Sequence, residues 1–279
     1  MRYRPILPTA AGALAAVHVV GILTGVPLLR QAEVAALLLL VVYALTARPR
    51  SRPWVVPLAL TVLVVDAFAT MPPAGTGRLQ VLRSGPADLT LGFLTGLRMS
   101  WAALAFVLVL LVAMRWREAR PNRLVLTGAT LAAALVAGYA VLRLVEVHLA
   151  VREAQRVHPG YGGPTGVEVT AAVLAPLVVA FGTIVLAVLL AGCRRRLAAS
   201  GAALLALVAL SQLDAALAPL PLPSYVDRGA LFTSAFHANT SVPAPGPAVA
   251  AAIELAAYLL LVVGLCAHQR PSPGTGRAG

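Results

Sequence analysis

The sequence predicts an all-α, polytopic membrane protein: a helical bundle of about eight transmembrane helices with both termini in the cytoplasm. Three observations predict it. Of the 279 residues, 59% are apolar and only 11% are charged, against about 25% charged in an ordinary soluble domain. The apolar residues gather in runs close to the roughly twenty needed to cross a bilayer. The charges between those runs are mostly arginines in short segments, and they are distributed unevenly between the two sides. Alternating segments of about ten residues, the mark of a membrane β-barrel, are absent, so helices remain as the way to satisfy the backbone in lipid.

Taken in order, the apolar windows place spans at 6–27, 31–47, 54–71, 99–114, 124–149, 168–192, 200–218 and 248–267. The first follows "MRYR" and has no convincing small-residue cleavage site, so it reads as an uncleaved helix. The second and fourth are short. Residues 86–98, "PADLTLGFLTGLR", read as an interfacial helix leading into the fourth. The Pro-rich stretch 219–247 is the longest loop and faces outside. Residues 1–270 form one transmembrane domain, and 271–279, "PSPGTGRAG", form a disordered cytoplasmic tail. No internal repeat stands out, so the inverted symmetry of many secondary transporters is not evident.

With the N-terminus inside, fourteen of the 22 arginines lie in cytoplasmic segments and seven in external ones, with Arg143 in the membrane. This bias supports the N-in, C-in orientation and the plasma membrane of a bacterium. All 22 basic residues are Arg. Without Lys, the chain has neither a Walker-type phosphate loop nor a Schiff-base amine. Any ATP must therefore be hydrolysed by another protein. The net charge of +12 sits in short loops, which points to anionic lipid and not to nucleic acid. Cys193 and Cys266 lack the spacing of a redox pair and read as free thiols.

Five ionisable residues fall well inside the spans: Asp66, Arg143, Glu146, Asp214 and Glu254. His18 and His148 join them. All five fall toward the outer half, where four acids and one Arg make a vestibule suited to a cation or proton. A plainer reading has each reaching the interface, with Arg143 pairing with Glu146 three residues on. On the segment "RLVEVHLAVREAQR", Arg143, Glu146, Ala150 and Glu153 share one helical stripe, while His148 and Arg152 share another face. Glu146 and His148 point apart and cannot chelate one metal. There is no HExxH pair, no serine-hydrolase elbow and no set of haem histidines. The sequence therefore assigns no cofactor, no metal and no catalytic residue.

Residues 87–114, "ADLTLGFLTGLRMSWAALAFVLVLLVAM", and 135–160, "LVAGYAVLRLVEVHLAVREAQRVHPG", resemble the transmembrane T component of energy-coupling factor transporters. In that family a "T-x-E-G-L … R" stretch leads into a Leu-rich span. An Arg-containing span follows, then a Glu pair and "A-Q-x-A-R-G". Glu146, Ala154 and Gln155 match in spacing. Pro176 and Arg195 fall near the family's second Pro and second Ala-Arg-Gly arginine. The resemblance covers about two thirds of the chain. It implies a partner-coupling role for Gln155, Arg156, His158, Arg194, Arg195 and Arg196, with two cytoplasmic ATPase subunits and a substrate-binding membrane subunit as partners. The chain departs from the family where Val157-His158-Pro159 replaces the first Ala-Arg-Gly, and where Arg194-Arg195-Arg196 replaces the second.

Three functions fit these observations: a transport component relying on partners, a membrane enzyme acting at the outer leaflet on a lipid-linked substrate, and an accessory protein without chemistry. The coupling role requires residues 150–160 in the cytoplasm, whereas the arginine count places them outside. With Cys193 and Cys266 replaced by Ser, Gly162→Cys should react with an impermeant thiol reagent in intact cells. Labelling only after lysis would put this loop in the cytoplasm.

Overall fold

A computed structural model describes residues 6–47, 54–70, 89–114, 121–157, 163–217 and 245–266. All the regular structure among them is α-helical. The helices are α1 (Ile6–Thr24), α2 (Pro27–Arg30), α3 (Ala32–Ala47), α4 (Val55–Ala69) and α5 (Leu89–Ala113), followed by α6 (Arg123–Val157), α7 (Gly166–Gly192), α8 (Arg196–Leu217) and α9 (Pro245–Cys266). Six stretches are long and apolar enough to cross a membrane: α1, residues 28–47, α6, α7, α8 and α9. The two halves of α5, Gly92–Arg98 and Ser100–Ala113, meet at 66° and make a seventh if counted as one span. The described part of α4 is apolar but shorter, at 15 residues.

Several expected boundaries shift for identifiable reasons. Residues 6–27 are not one helix. Gly25 takes a φ of 71°, and the Val26 N–H donates to the Gly21 carbonyl at 3.0 Å. This left-handed close ends α1, and Pro27 then opens α2 at a position where its missing N–H costs nothing. The expected interfacial helix 86–98 is, from Leu89 on, the first arm of α5; residues 86–88 lie outside the described part. The span expected at 124–149 continues to Val157. Residues 150–157 are, apart from Val151 and Val157, Ala, Arg, Glu and Gln, good helix formers, so the helix continues past the apolar run. Thr165 caps α7, accepting a hydrogen bond from the Glu168 N–H at 3.3 Å. Loop 219–247 lies outside the described residues except where 245–247 begin α9, and tail 271–279 lies wholly outside them.

Seven helices close a ring in the order α1, α3, α4, α5, α7, α8, α9 and back to α1. Their shared core includes Leu40, Leu60, Phe106, Leu190, Leu261 and Val262, all buried. α6 stands outside this ring against α7 and the edge of α8. The ring closes tightly where small residues let backbones meet. Gly92 and Gly96, one helical turn apart, lay α5 on α7. A methyl group on Gly92 would meet the Glu168 carbonyl oxygen at 2.4 Å, and one on Gly96 would meet that of Ala172 at 1.9 Å. Gly201 and Gly264 do the same between α8 and α9, against Leu261 and Ala198. Without a hydrophobic force between helices in lipid, such close contact is a main source of association.

Gly96→Ala should therefore destabilise the bundle by about 1–3 kcal/mol, the usual cost of overpacking. Gly128→Ala, with nothing within 4 Å, should be neutral or slightly stabilising. Unfolding titrations in mixed micelles compare the two.

Candidate functional site

The chain order of the helices brings the ends of α1, α4, α6 and α8 to the same side as the starts of α3, α5, α7 and α9. The pairings His18–Glu33, Gly166–His148 and Asp214–Arg143 are all made on this side. The intramembrane polar residues gather here, but in two groups and not in one vestibule.

The first group fastens α6 to α8. Arg143 is only 3% exposed. Its Nε–H donates to Asp214 Oδ1 at 2.9 Å, and its Nη1 donates to Glu146 Oε2 at 2.5 Å. The Tyr139 hydroxyl donates to the other Asp214 oxygen at 2.6 Å. Both carboxylate oxygens of Asp214 are thus occupied, as burial demands. One Arg against two acids and a phenol forms a satisfied clamp, and an Arg stays charged at any ordinary pH. The i, i+3 pair of Arg143 with Glu146 is present, extended by Asp214 and Tyr139.

The second group faces into the ring. Glu33 at the start of α3, Asp66 near the end of α4 and Glu254 in α9 lie within electrostatic range of one another. Trp101, just past the bend of α5, lies near Asp66. The Tyr258 hydroxyl donates to Glu254 Oε1 at 3.0 Å, and its ring meets Phe106 edge-on at a centroid distance of 5.2 Å. His18 completes the group. Its Nδ1 lies 2.7 Å from the Arg30 carbonyl oxygen and its Nε2 lies 3.5 Å from Glu33 Oε2. A carbonyl only accepts, so Nδ1 carries a hydrogen. In a neutral ring Nε2 is then an acceptor facing a second acceptor. The contact is favourable only when the pair holds one more proton, on the imidazole or on the carboxyl group. Among the described residues no three His, Cys, Asp or Glu side chains converge closely enough to hold a metal ion. The second group is therefore an acidic field and not a coordination sphere.

Of the residues singled out in sequence, Asp66 and Glu254 belong to the inner group and Arg143, Glu146 and Asp214 to the outer clamp. His148 lies on the exposed flank of α6 beside Gly166. Gln155 and Arg156 are exposed near the end of α6, where Arg156 meets Glu153 at 3.8 Å, a surface pair of little energetic weight. His158 lies outside the described residues. Arg194, Arg195 and Arg196 form the turn between α7 and α8. Arg194 there adopts a φ of 59°, and the Arg195 N–H closes on the Leu190 carbonyl at 2.9 Å. Residues 155–156 and 194–196 thus lie toward opposite ends of α7, whose 27 residues span about 40 Å. Sequence reasoning missed Glu33, Tyr139, Trp101 and Tyr258.

The fold and site define an all-helical, multi-pass membrane protein with two polar groups set into one side of an apolar bundle. Searches with family models, curated proteins and solved structures find no match to it.

Removing one partner of the buried clamp should cost about 3–5 kcal/mol, because it strands the other charge. Arg143→Met and Asp214→Leu should each lower stability in this range. The double variant should recover much of the loss, and a double-mutant cycle in micelles measures the coupling.

Proposed function

We propose that the chain is a membrane transport component of eight spans, with both termini in the cytoplasm of a bacterial cell. In this reading it takes a proton into the Glu33–Asp66–Glu254 group. The His18–Glu33 contact carries the reading, because it is favourable only with a proton in place. The energetic argument supports it. An ionisable residue deep in a membrane helix costs at least about 2.5–3.5 kcal/mol on insertion scales. Three carboxyl groups facing one another raise that cost unless a proton or cation compensates them. Five helices, α1, α3, α4, α5 and α9, surround the group, so no single helix end explains it. The arginine bias supports the orientation, in which the group opens outward.

Purified protein in liposomes containing a pH-sensitive dye tests the reading. Flux should fall at least ten-fold when Glu33→Gln, Asp66→Asn and Glu254→Gln are combined in a folded variant. Equal flux with and without the three acids would remove it.

Partner coupling is a second reading, and the conformation of Arg194 favours it. A left-handed residue costs roughly 1–2 kcal/mol unless it is glycine. Here an Arg occupies that place in a turn bearing two further arginines. Guanidinium groups presented on a tight turn suit bidentate contact with a partner's carboxylates, as the energy-coupling resemblance implies. The separation of this turn from residues 155–156 limits that reading to one docking point. Pull-down from native membranes should recover an ATPase pair, lost in Arg195→Glu. A pull-down without ATPases would leave the chain working alone.

A further inference from the structure

A groove of about 320 Å³ runs between α6 and α7, with Leu144, Val145, Val147 and Val151 on one wall and Val169 and Thr170 on the other. His148 lies along it. We propose that this groove is a binding site for one anionic phospholipid, its acyl chain between the apolar walls and its phosphate against His148 and Arg152.

Depth is the first argument. Residues 124–142 of α6 contain no charged side chain. At 1.5 Å per residue these nineteen positions cover about 28 Å, close to the hydrocarbon thickness of a bilayer. Residues 144–151 then lie where acyl chains meet headgroups. An apolar groove at that level, open to the side, fits a chain whose polar end must emerge just above it.

Charge is the second argument. At about 100° per residue, Val145, His148, Arg152 and Gln155 run along the flank of α6 that borders the groove. Glu146 and Glu153 lie roughly 80° or more away on another flank, and Glu146 is already held by Arg143. The sign of the charge is thus sorted around the helix: cationic and neutral polar groups beside the groove, acids away from it. An arginine at headgroup level attracts anionic lipid. The neighbouring exposed side chains Val141, Val145 and Leu149 continue the apolar surface on which the chain would lie.

α6 makes few contacts with the ring apart from its clamp and its packing on α7. A lipid seated in the groove would add contact area to that seam. This role is separate from the acid group inside the ring, and the two can fail independently.

The test uses the full-length chain, equilibrated in vesicles of equal phosphatidylglycerol and phosphatidylcholine, extracted gently and weighed by native mass spectrometry. Phosphatidylglycerol should be retained at least ten-fold over phosphatidylcholine. Arg152→Gln should reduce that retention at least five-fold by removing the charge, and Val145→Trp should do the same by filling the groove. Leu135→Trp, on the far face of α6, and Arg123→Gln, at its opposite end, should leave it unchanged. If Val145→Trp unfolds, Arg152→Gln decides alone. Equal retention of the two lipids, or the same loss in the control variants, would mean ordinary annular lipid only and would overturn the proposal.

Discussion

The energetic cost of carrying charge into an apolar medium shapes this molecule more than any other constraint. Lipid supplies neither hydrogen bonds nor counter-ions, so each ionisable group in a span must find its compensation within the protein. The two polar groups meet this demand differently. The Arg143 clamp is complete: each oxygen of Asp214 has a donor, and the guanidinium has two carboxylates. The ring group is incomplete as protein alone. Its His18–Glu33 contact is favourable only with one more proton, and its acids lie within electrostatic range of one another.

Close backbone contact is what permits the ring to exist. The glycine pair on α5 and the facing glycines of α8 and α9 draw neighbouring helices together until carbonyl oxygens touch the opposing chain. The acid group depends on that closure, because Glu33, Asp66 and Glu254 come within electrostatic range of one another only if α3, α4 and α9 hold their places around the ring. The bend in α5 falls between its glycine pair and Trp101. One arm of the helix thus packs on α7 while the other delivers the indole to Asp66.

Much of the helix order was legible in the apolar runs, because an uninterrupted stretch of Leu, Val and Ala of sufficient length has few other solutions. The end of α6 was not. A charged run of good helix formers looks the same whether it leaves the membrane as loop or as helix. Asp66, Arg143, Glu146, Asp214 and Glu254 stood out in sequence because each interrupts an apolar run. Their division into two groups did not, since it depends on which helices become neighbours. Glu33 escaped notice at the edge of its span, where a charge is ordinary. Tyr139, Trp101 and Tyr258 escaped because an aromatic residue among aliphatic ones reads as packing, and only the fold shows where its polar atom points. The glycine pair "GFLTG" was visible in sequence, but its meaning required knowing that α7 lies against it.

One dimension of α6 carries a mechanical consequence. Its 35 residues extend about 52 Å, well beyond the thickness of the oil it crosses. A rod longer than its slab either leans or protrudes, and its angle follows the slab's thickness. Because α6 packs on α7 from Val136 to Val151, on both sides of the Arg143 clamp, its projecting ends and not its clamped part are left to meet a change in thickness.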